Sequence, residues 1–320
     1  MKAIQVREFG DPEVLQLREI ADPTPSEKQL KIDVKAVGVN PVDTYIRSGI
    51  YPMRPSLPYT PGLDAAGIVS EVGPAVTSCK VGDHVYVFGS LTGCYAEQLV
   101  CTEQQAYHLP QGVDFKVGAS LGVPYSTAYF ALYYRAHAMP GETVLIHGAS
   151  GAVGLAAIQI AKSHGLHVIG TAGTRQGLDL IMAQGASAAL NHNQEDYLDA
   201  IPELTGGEGV NIVLEMLANV NLAKDLQILA RYGRVVIIGN RGSIEINPRD
   251  TMGKNASILG MAIFNATANE MKQMHAGIQA GVADGRFKPL IRMELPLGEA
   301  PQAHVKVMEA GGNGKIILVP

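Results

Sequence analysis

A chain of 320 residues, 47% of them hydrophobic, 17% charged and 36 of them glycine, has the length of two domains and the composition of a compact α/β protein. Its formal net charge of −5 argues against a protein whose main partner is a phosphate backbone. There is no apolar run of about 18 residues, no secretion signal, and no C-x-x-C pair among the three cysteines. These absences predict a cytoplasmic enzyme with no membrane span, disulfide framework or four-cysteine zinc site.

The first ~110 residues are predicted to form short strands separated by glycine and proline turns. The segment "KIDVKAV" (31–37) alternates with period two, as a half-buried strand does. From about residue 118 the pattern changes, because "GASLGVPYSTAYFALYYRA" (118–136) has a longer apolar period typical of a helix. The chain is therefore predicted to pass from a β-rich, barrel-like domain into a second domain near this point.

The following residues alternate between short Val- and Ile-rich runs and helical segments, beginning with "TVLIHG" (143–148) and "AVGLAAIQIAKSHG" (152–165). This alternation predicts a parallel sheet with helices on both faces, a doubly wound nucleotide-binding fold. The last residues end in a strand-like "KIILVP" (315–320) and are predicted to rejoin the first domain. The expected division is 1–124 with 261–320 for the β-rich domain, and 125–260 for the doubly wound domain.

Three glycines, Gly148, Gly151 and Gly154, fall between the first strand of this alternation and its helix. In such a loop glycine allows a tight turn and close approach of backbone amides to a pyrophosphate at the helix N-terminus. The spacing is G-x-x-G-x-x-G rather than the commoner G-x-G-x-x-G, and an ordinary glycine turn is the alternative. The position between strand and helix favours a dinucleotide site.

The tip of the second strand of this domain reads Gly173-Thr174-Arg175. Enzymes that prefer NAD usually carry an acidic residue here to accept a hydrogen bond from the ribose 2′-hydroxyl. No acid is present, and the Arg175 guanidinium can pair with a 2′-phosphate. A solvated loop charge is the alternative for Arg175, but the missing acid by itself predicts NADPH.

Five segments carry a family resemblance that runs nearly from end to end of the chain. They are "GVNPVDTYIRSG" (38–49), "LPYTPG" (57–62), "HGASGAVGLAA" (147–157), "LEMLANVNLAKDL" (214–226) and "IEINPRDTM" (244–252). With these segments, the chain resembles the zinc-independent quinone oxidoreductases of the medium-chain dehydrogenase/reductase superfamily, in particular the zeta-crystallin type. The resemblance implies a GroES-like catalytic domain and a Rossmann NADPH-binding domain. One departure is Ala152, where the family usually has glycine.

The resemblance also implies a set of NADPH contacts, which lie in the phosphate loop, at the adenosine end and along the nicotinamide half. Without it, His192 would be interpreted as a surface histidine and Thr127 as an ordinary helix hydroxyl. The implied residues are Thr127, Ser150, Gly151, Ala152, Val153, Gly173, His192, Asn221, Ile238, Gly239, Asn240, Arg241, Met261, Ala262 and Ile263. The glycine loop and the strand tip described above add Gly154, Thr174 and Arg175 to the predicted cofactor contacts.

Asn40 and Leu63 occupy positions where zinc-dependent relatives supply ligands, and neither is a credible zinc ligand. The nine histidines form no H-x-x-x-H or H-E-x-x-H pattern, so no metal is expected. A quinone becomes aromatic when reduced and needs positioning and hydrogen-bond donors more than a Lewis acid. The resemblance implies that Tyr45 and Asn40 donate hydrogen bonds to the quinone and that Tyr51 adds a donor or an aromatic wall. The alternative for each tyrosine is a ring packed in the β-barrel with its hydroxyl at the surface.

Three charged residues are expected to be structural or exposed to solvent rather than catalytic. Asp43 and Asp64 would oppose a negative oxygen near the nicotinamide, so they are expected to accept hydrogen bonds from turn amides. Lys315 precedes the last strand and is expected to be solvated.

The leading hypothesis is therefore an NADPH:quinone oxidoreductase acting on ortho- or para-quinones, by hydride or by single-electron transfer. An NADPH-dependent reductase of enone or enal C=C bonds is the enzymatic alternative. A crystallin-like structural role or AU-rich RNA binding is an alternative of another class, suggested only by family analogy, since the chain is acidic and lacks an RNP-like aromatic motif. A homodimer or homotetramer is expected by the same analogy, with the strand "RVVIIG" (234–239) as a candidate pairing edge or a buried core strand.

Overall fold

The computed structural model describes all 320 residues and divides into two compact units. Unit 1 comprises Met1–Val123 and His275–Pro320, and unit 2 comprises Pro124–Met274. The sequence predicts that the chain rejoins the first domain at residue 261, whereas this division keeps residues 261–274 in unit 2. Within this segment, Gln273 Oε1 accepts from the Tyr134 hydroxyl of unit 2 at 2.7 Å.

Short, mostly buried apolar segments form the strands. In chain order they are β1 (Lys2–Gln5), β2 (Gln16–Glu19), β3 (Gln29–Val39), β4 (Asp64–Val72), β5 (His84–Phe88), β6 (Gln98–Thr102), β7 (Ala106–His108), β8 (Thr143–Ile146), β9 (His167–Ala172), β10 (Ala188–Asn191), β11 (Val210–Glu215), β12 (Leu229–Ile237), β13 (Ser257–Gly260), β14 (Ile291–Pro296) and β15 (Lys315–Val319).

The helices follow the longer apolar periods of the sequence. They are α1 (Pro41–Arg47), α2 (Phe115–Gly118), α3 (Gly122–Tyr129), α4 (Ala152–Ser163), α5 (Arg175–Gln184), α6 (Ile201–Leu204), α7 (Ala218–Ile228), α8 (Arg249–Met252), α9 (Ala268–Ala283) and α10 (Ala300–Met308). A π-helical segment over Phe130–Arg135 continues α3. None of these helices has both the length and the apolar character needed to cross a membrane.

Unit 1 is built on a mainly antiparallel sheet in the order β14-β15-β3-β4-β5-β7, with β6 also paired to β3. Aliphatic side chains of these strands form its core. The register pairs Gly38 with Asp64 and Val39 with Ile316. Because β3 runs antiparallel to both neighbours, its carboxyl end meets the first residues of β4 and β15.

Unit 2 contains a six-stranded sheet in the order β10-β9-β8-β11-β12-β13, and every pair in it is parallel. This is the doubly wound Rossmann order, which binds dinucleotides at the carboxyl ends of its strands. The predicted fold class is confirmed. The prediction of "RVVIIG" as a pairing edge is wrong, because β12 lies between β11 and β13 and the outer strand is β13.

Candidate active site

The loop between β8 and α4 has the geometry of a pyrophosphate cradle. Gly148 has φ +55°, and its amide donates to Thr171 Oγ1 at 3.2 Å. A Cβ on Gly154 would lie 2.5 Å from Ala149 Cα, so only glycine lets α4 pack this closely on the loop. The helix begins at Ala152, and the amides of its first turn have no carbonyl partner within the helix. They can bind an anion where the loop turns.

Ala152 departs from the family signature at the first residue of α4. It is not among the three non-glycine residues with positive φ, so its backbone conformation is one that alanine adopts without strain. The extra methyl group therefore leaves the loop conformation intact.

The predicted adenosine end is assembled at the carboxyl ends of β9 and β10. A Cβ on Gly173 would lie 2.8 Å from His192 Nε2, and His192 Nδ1 lies 3.2 Å from Thr171 Oγ1. Asn193 Nδ2 donates to the Gly173 carbonyl at 2.8 Å. His192 is exposed, as the sequence alone would suggest, yet it lies beside Gly173 as the resemblance implied.

Thr174 and Arg175 form the start of α5. Thr174 is its N-cap and accepts from the Gly177 amide at 3.1 Å. The Arg175 side chain is 88% exposed and its Nε lies 3.0 Å from Asp179 one helical turn later. An exposed pair of this kind is weak, so the guanidinium can turn to an incoming phosphate.

The remaining predicted cofactor residues of unit 2 lie mostly past the carboxyl ends of β11, β12 and β13. Asn221 Nδ2 donates to Glu215 Oε1 at 3.2 Å, and the Gly239 amide donates to the Glu215 carbonyl at 3.1 Å. Thr127 is buried in α3. The others are Ile238, Asn240, Arg241, Met261, Ala262 and Ile263, while Ser150 and Val153 belong to the phosphate loop.

A buried cluster next to the phosphate loop was missed from the sequence. His147 Nε2 lies 2.8 Å from Asp225 Oδ1 and 3.4 Å from Glu215 Oε2. Burial raises the pKa of both carboxyl groups to about 7 and lowers the pKa of the imidazole. Glu215 Oε1 accepts from the Leu217 amide and from Asn221. The three residues, called the His147 cluster below, thus connect the residue after β8 to α7.

In unit 1 the sequence expectation for Lys315 is wrong. Its side chain is only 2% exposed and its ammonium lies 2.7 Å from Asp64 Oδ2, which is 0% exposed. The same ammonium donates to Asn40 Oδ1 at 2.5 Å. These three residues, called the Lys315 cluster below, come together because the end of β3 meets the first residues of β4 and β15.

Asn40 is held within this cluster. Its Nδ2 donates to Asp64 Oδ2 at 3.0 Å and to the Gly38 carbonyl at 3.5 Å, so both ends of the amide already have partners. Asn40 is also the N-cap of α1, and its donation to a substrate oxygen stays a prediction. Asp64 Oδ1 accepts from the Val123 amide at 2.7 Å, and a Cβ on Gly122 would lie 2.3 Å from it.

A second chain of contacts holds the body of α1. Asp43 Oδ2 accepts from the Asn40 amide at 2.9 Å and from the Tyr95 hydroxyl at 3.2 Å. Tyr95 also contacts His304, which contacts Arg47. Burial raises the pKa of Asp43 to about 7. Asp43 and Asp64 both accept backbone hydrogen bonds, as the sequence predicted.

Tyr45 and Tyr51 are brought together by α1 and the turn after it. The Tyr51 amide donates to the Tyr45 carbonyl at 3.2 Å, and both side chains are half-buried. Burial raises the pKa of the Tyr51 phenol, which keeps it protonated and able to donate. Leu63 is also half-buried and provides no metal ligand.

The doubly wound unit and its glycine loop define a dinucleotide-dependent oxidoreductase, and two family models agree. The alcohol dehydrogenase GroES-like domain matches residues 26–111 and the zinc-binding dehydrogenase matches residues 152–280. Human quinone oxidoreductase is 49% identical over 321 residues, which cover 100% of this chain and 98% of that protein. The chain therefore belongs to the quinone oxidoreductases of the medium-chain dehydrogenase/reductase superfamily, as the resemblance predicted.

Two solved structures extend the comparison. The Escherichia coli quinone oxidoreductase complexed with NADPH superposes with a TM-score of 0.92 at 32% identity, covering 100% of both chains. An NAD-dependent alcohol dehydrogenase superposes with a TM-score of 0.93 at 27% identity, again over 100% of both chains. The fold alone thus accommodates either nicotinamide cofactor, and the choice depends on individual residues.

Proposed function

We propose that this chain is an NADPH-dependent quinone reductase that works without zinc. The observation that carries the proposal is the Lys315 cluster: Asn40, at a position where zinc-dependent relatives supply a ligand, is held by the carboxylate of Asp64 and the ammonium of Lys315. The similarity to human quinone oxidoreductase supports the substrate class.

NADPH fits unit 2 through features of its own residues. The glycine loop and the first turn of α4 supply backbone amides for the pyrophosphate. The tip of β9 carries no carboxylate to repel a 2′-phosphate, and Arg175 offers an exposed guanidinium beside it. The cofactor supplies the reducing equivalents when bound.

The residues of unit 1 are proposed to position the quinone and to stabilise the charge that it gains. The Tyr45 hydroxyl donates to the oxygen that becomes negative, and Tyr51 offers a second donor or a flat wall for the ring. Asn40 and Asp43 act indirectly, because they fix the first turn of α1, which carries Tyr45. The same donors serve whether the two electrons arrive together as hydride or singly.

A Lewis acid is not required for this reaction. Reduction makes the quinone ring aromatic, so the acceptor is already strongly electrophilic. Lys315 places a buried positive charge in unit 1, and its partners Asp64 and Asn40 compensate it.

The test is NADPH oxidation, followed by absorbance, with 1,2-naphthoquinone, 1,4-benzoquinone and a simple enone in parallel. Quinone turnover with NADPH, and much weaker turnover with NADH, is expected. Turnover of the enone alone would contradict the quinone assignment and favour the C=C reductase. No turnover with any acceptor would contradict the enzymatic proposal and favour a binding role.

A further inference from the structure

Three different metal-ligating side chains meet on the surface of unit 1, away from the Lys315 cluster. Cys79 and Asp83 lie in the loop between β4 and β5, and His108 is the last residue of β7. One donor atom from each residue lies within 4.8 Å of the other two. His108 Nδ1 and Asp83 Oδ2 are 3.9 Å apart.

The imidazole of His108 is oriented as in metal sites. Its Nε2 lies 3.0 Å from the carbonyl oxygen of Ser78. A carbonyl can only accept, so Nε2 carries a hydrogen, and Nδ1, which faces Asp83 Oδ2 at 3.9 Å, is the ring atom available to a metal. Metal-binding histidines are commonly fixed by such a hydrogen bond from the other ring nitrogen.

The loop that carries the other two donors is held by hydrogen bonds of its own. Asp83 Oδ2 accepts from the Lys80 amide at 2.9 Å. Glu103 Oε2 accepts from the amides of Thr77 and Ser78, each at 3.0 Å, and it adds a negative charge close to Cys79. A cation would therefore meet donors that are already nearly in place.

We propose that Cys79, Asp83 and His108 form a binding site for a divalent ion of the zinc class. Sulfur, imidazole nitrogen and carboxylate oxygen together suit Zn²⁺, and water completes the coordination. Donor atoms around tetrahedral zinc are roughly 3.3–3.7 Å apart, given bond lengths of about 2.0–2.3 Å. The present separations therefore need only small side-chain rotations. Binding replaces the thiol proton of Cys79, which is released to solvent.

This site is distinct from the proposed active site and does not depend on the proposed function. A bound ion would connect the loop before β5 to the end of β7, which are already neighbouring strands. Its expected effect is on stability, since a ligand that binds only the folded state raises the temperature of unfolding.

The test is a Co²⁺ titration of the untagged full-length protein under reducing conditions. One equivalent of Co²⁺ should produce an intense near-ultraviolet thiolate band, which Zn²⁺ abolishes by competition. Cys79→Ser should remove the band and His108→Gln should weaken Co²⁺ binding at least about tenfold, the loss expected for a metal ligand. His84→Gln, which changes an exposed histidine outside the group, should bind like the wild type.

A wild-type protein that shows no thiolate band in excess Co²⁺, or a band that survives Cys79→Ser, would overturn the proposal. As a second measurement, Zn²⁺ should raise the melting temperature of the wild type and of His84→Gln but not of His108→Gln. An equal rise in all three proteins would also contradict the site. Quinone turnover is a separate readout, so failure of the proposed function would leave this result unaffected.

Discussion

The two units bury acidic side chains in opposite ways. In unit 1, Asp64 is 0% exposed and faces the ammonium of Lys315 at 2.7 Å. In unit 2, Glu215 and Asp225 are equally buried and lie beside the imidazole of His147. Burial raises the pKa of both carboxyl groups to about 7, so each binds a proton more tightly than an exposed carboxyl group does.

The difference matches the task proposed for each unit. A fixed internal cation holds α1 and its tyrosine in one position. A phosphate-binding unit has a different requirement, because its cations must be available to the ligand. Unit 2 accordingly buries no cation in the His147 cluster and exposes Arg175 at the start of α5. The guanidinium proposed to bind the anion in unit 2 therefore lies at the surface.

The largest effect is expected from Lys315→Met. The substitution leaves Asp64 buried without its cation and Asn40 without a donor, so we expect a loss of about 3–5 kcal/mol in the free energy of unfolding. Chemical denaturation measures this. Lys116→Met, which breaks an exposed pair with Glu294, is the matched control and should change stability far less. Equal losses in the two variants would contradict the role of Lys315.

The His147 cluster predicts how stability depends on pH. A carboxyl group whose pKa is higher in the folded than in the unfolded state contributes stability that is complete below about pH 4 and is lost as pH rises to about 7. For Asp225 we expect a loss on the order of 2 kcal/mol between pH 5 and pH 8.

Asp225→Asn should remove part of this pH dependence, because the amide stays neutral at every pH. Denaturation of the variant and the wild type across this range measures the difference. Asp43, whose pKa is also about 7, should preserve a slope of the same sign in the variant. An unchanged slope would show that Asp225 does not bind a proton on folding.

Arg175→Ala should have the smallest effect on stability and a selective effect on the cofactor. The side chain is 88% exposed, so unfolding should be unchanged. Loss of a charge-assisted contact to the 2′-phosphate should raise the KM for NADPH about tenfold and leave the KM for NADH unaltered. Parallel changes with both cofactors would place the guanidinium elsewhere on the nucleotide.

Local patterns were sufficient for the fold and for the phosphate loop. Strand and helix periods, together with the three glycines after β8, predicted a doubly wound unit because each signal lies within a few neighbouring residues. The role of Lys315 was mistaken because its partners Asn40 and Asp64 are 275 and 251 positions away. No local pattern encodes the register that brings β3, β4 and β15 together.

The His147 cluster was missed for a similar reason. His147 and Asp225 are 78 positions apart, and each alone resembles an ordinary residue beside an apolar segment. The sequence did contain a signal for a buried polar cluster: Glu215 ends an apolar strand and Asp225 lies on the buried face of a helix. Their partner became evident only from the order of the sheet.

The most direct test of the account is the rate of NADPH oxidation with 1,2-naphthoquinone after exhaustive treatment with a chelator and elemental analysis of the protein. The account predicts that the rate equals that of untreated enzyme, because Asn40 and Leu63 stand at the zinc-ligand positions and Asn40 is already bound by Lys315 and Asp64. A rate that falls with chelation and returns on addition of Zn²⁺ would contradict it.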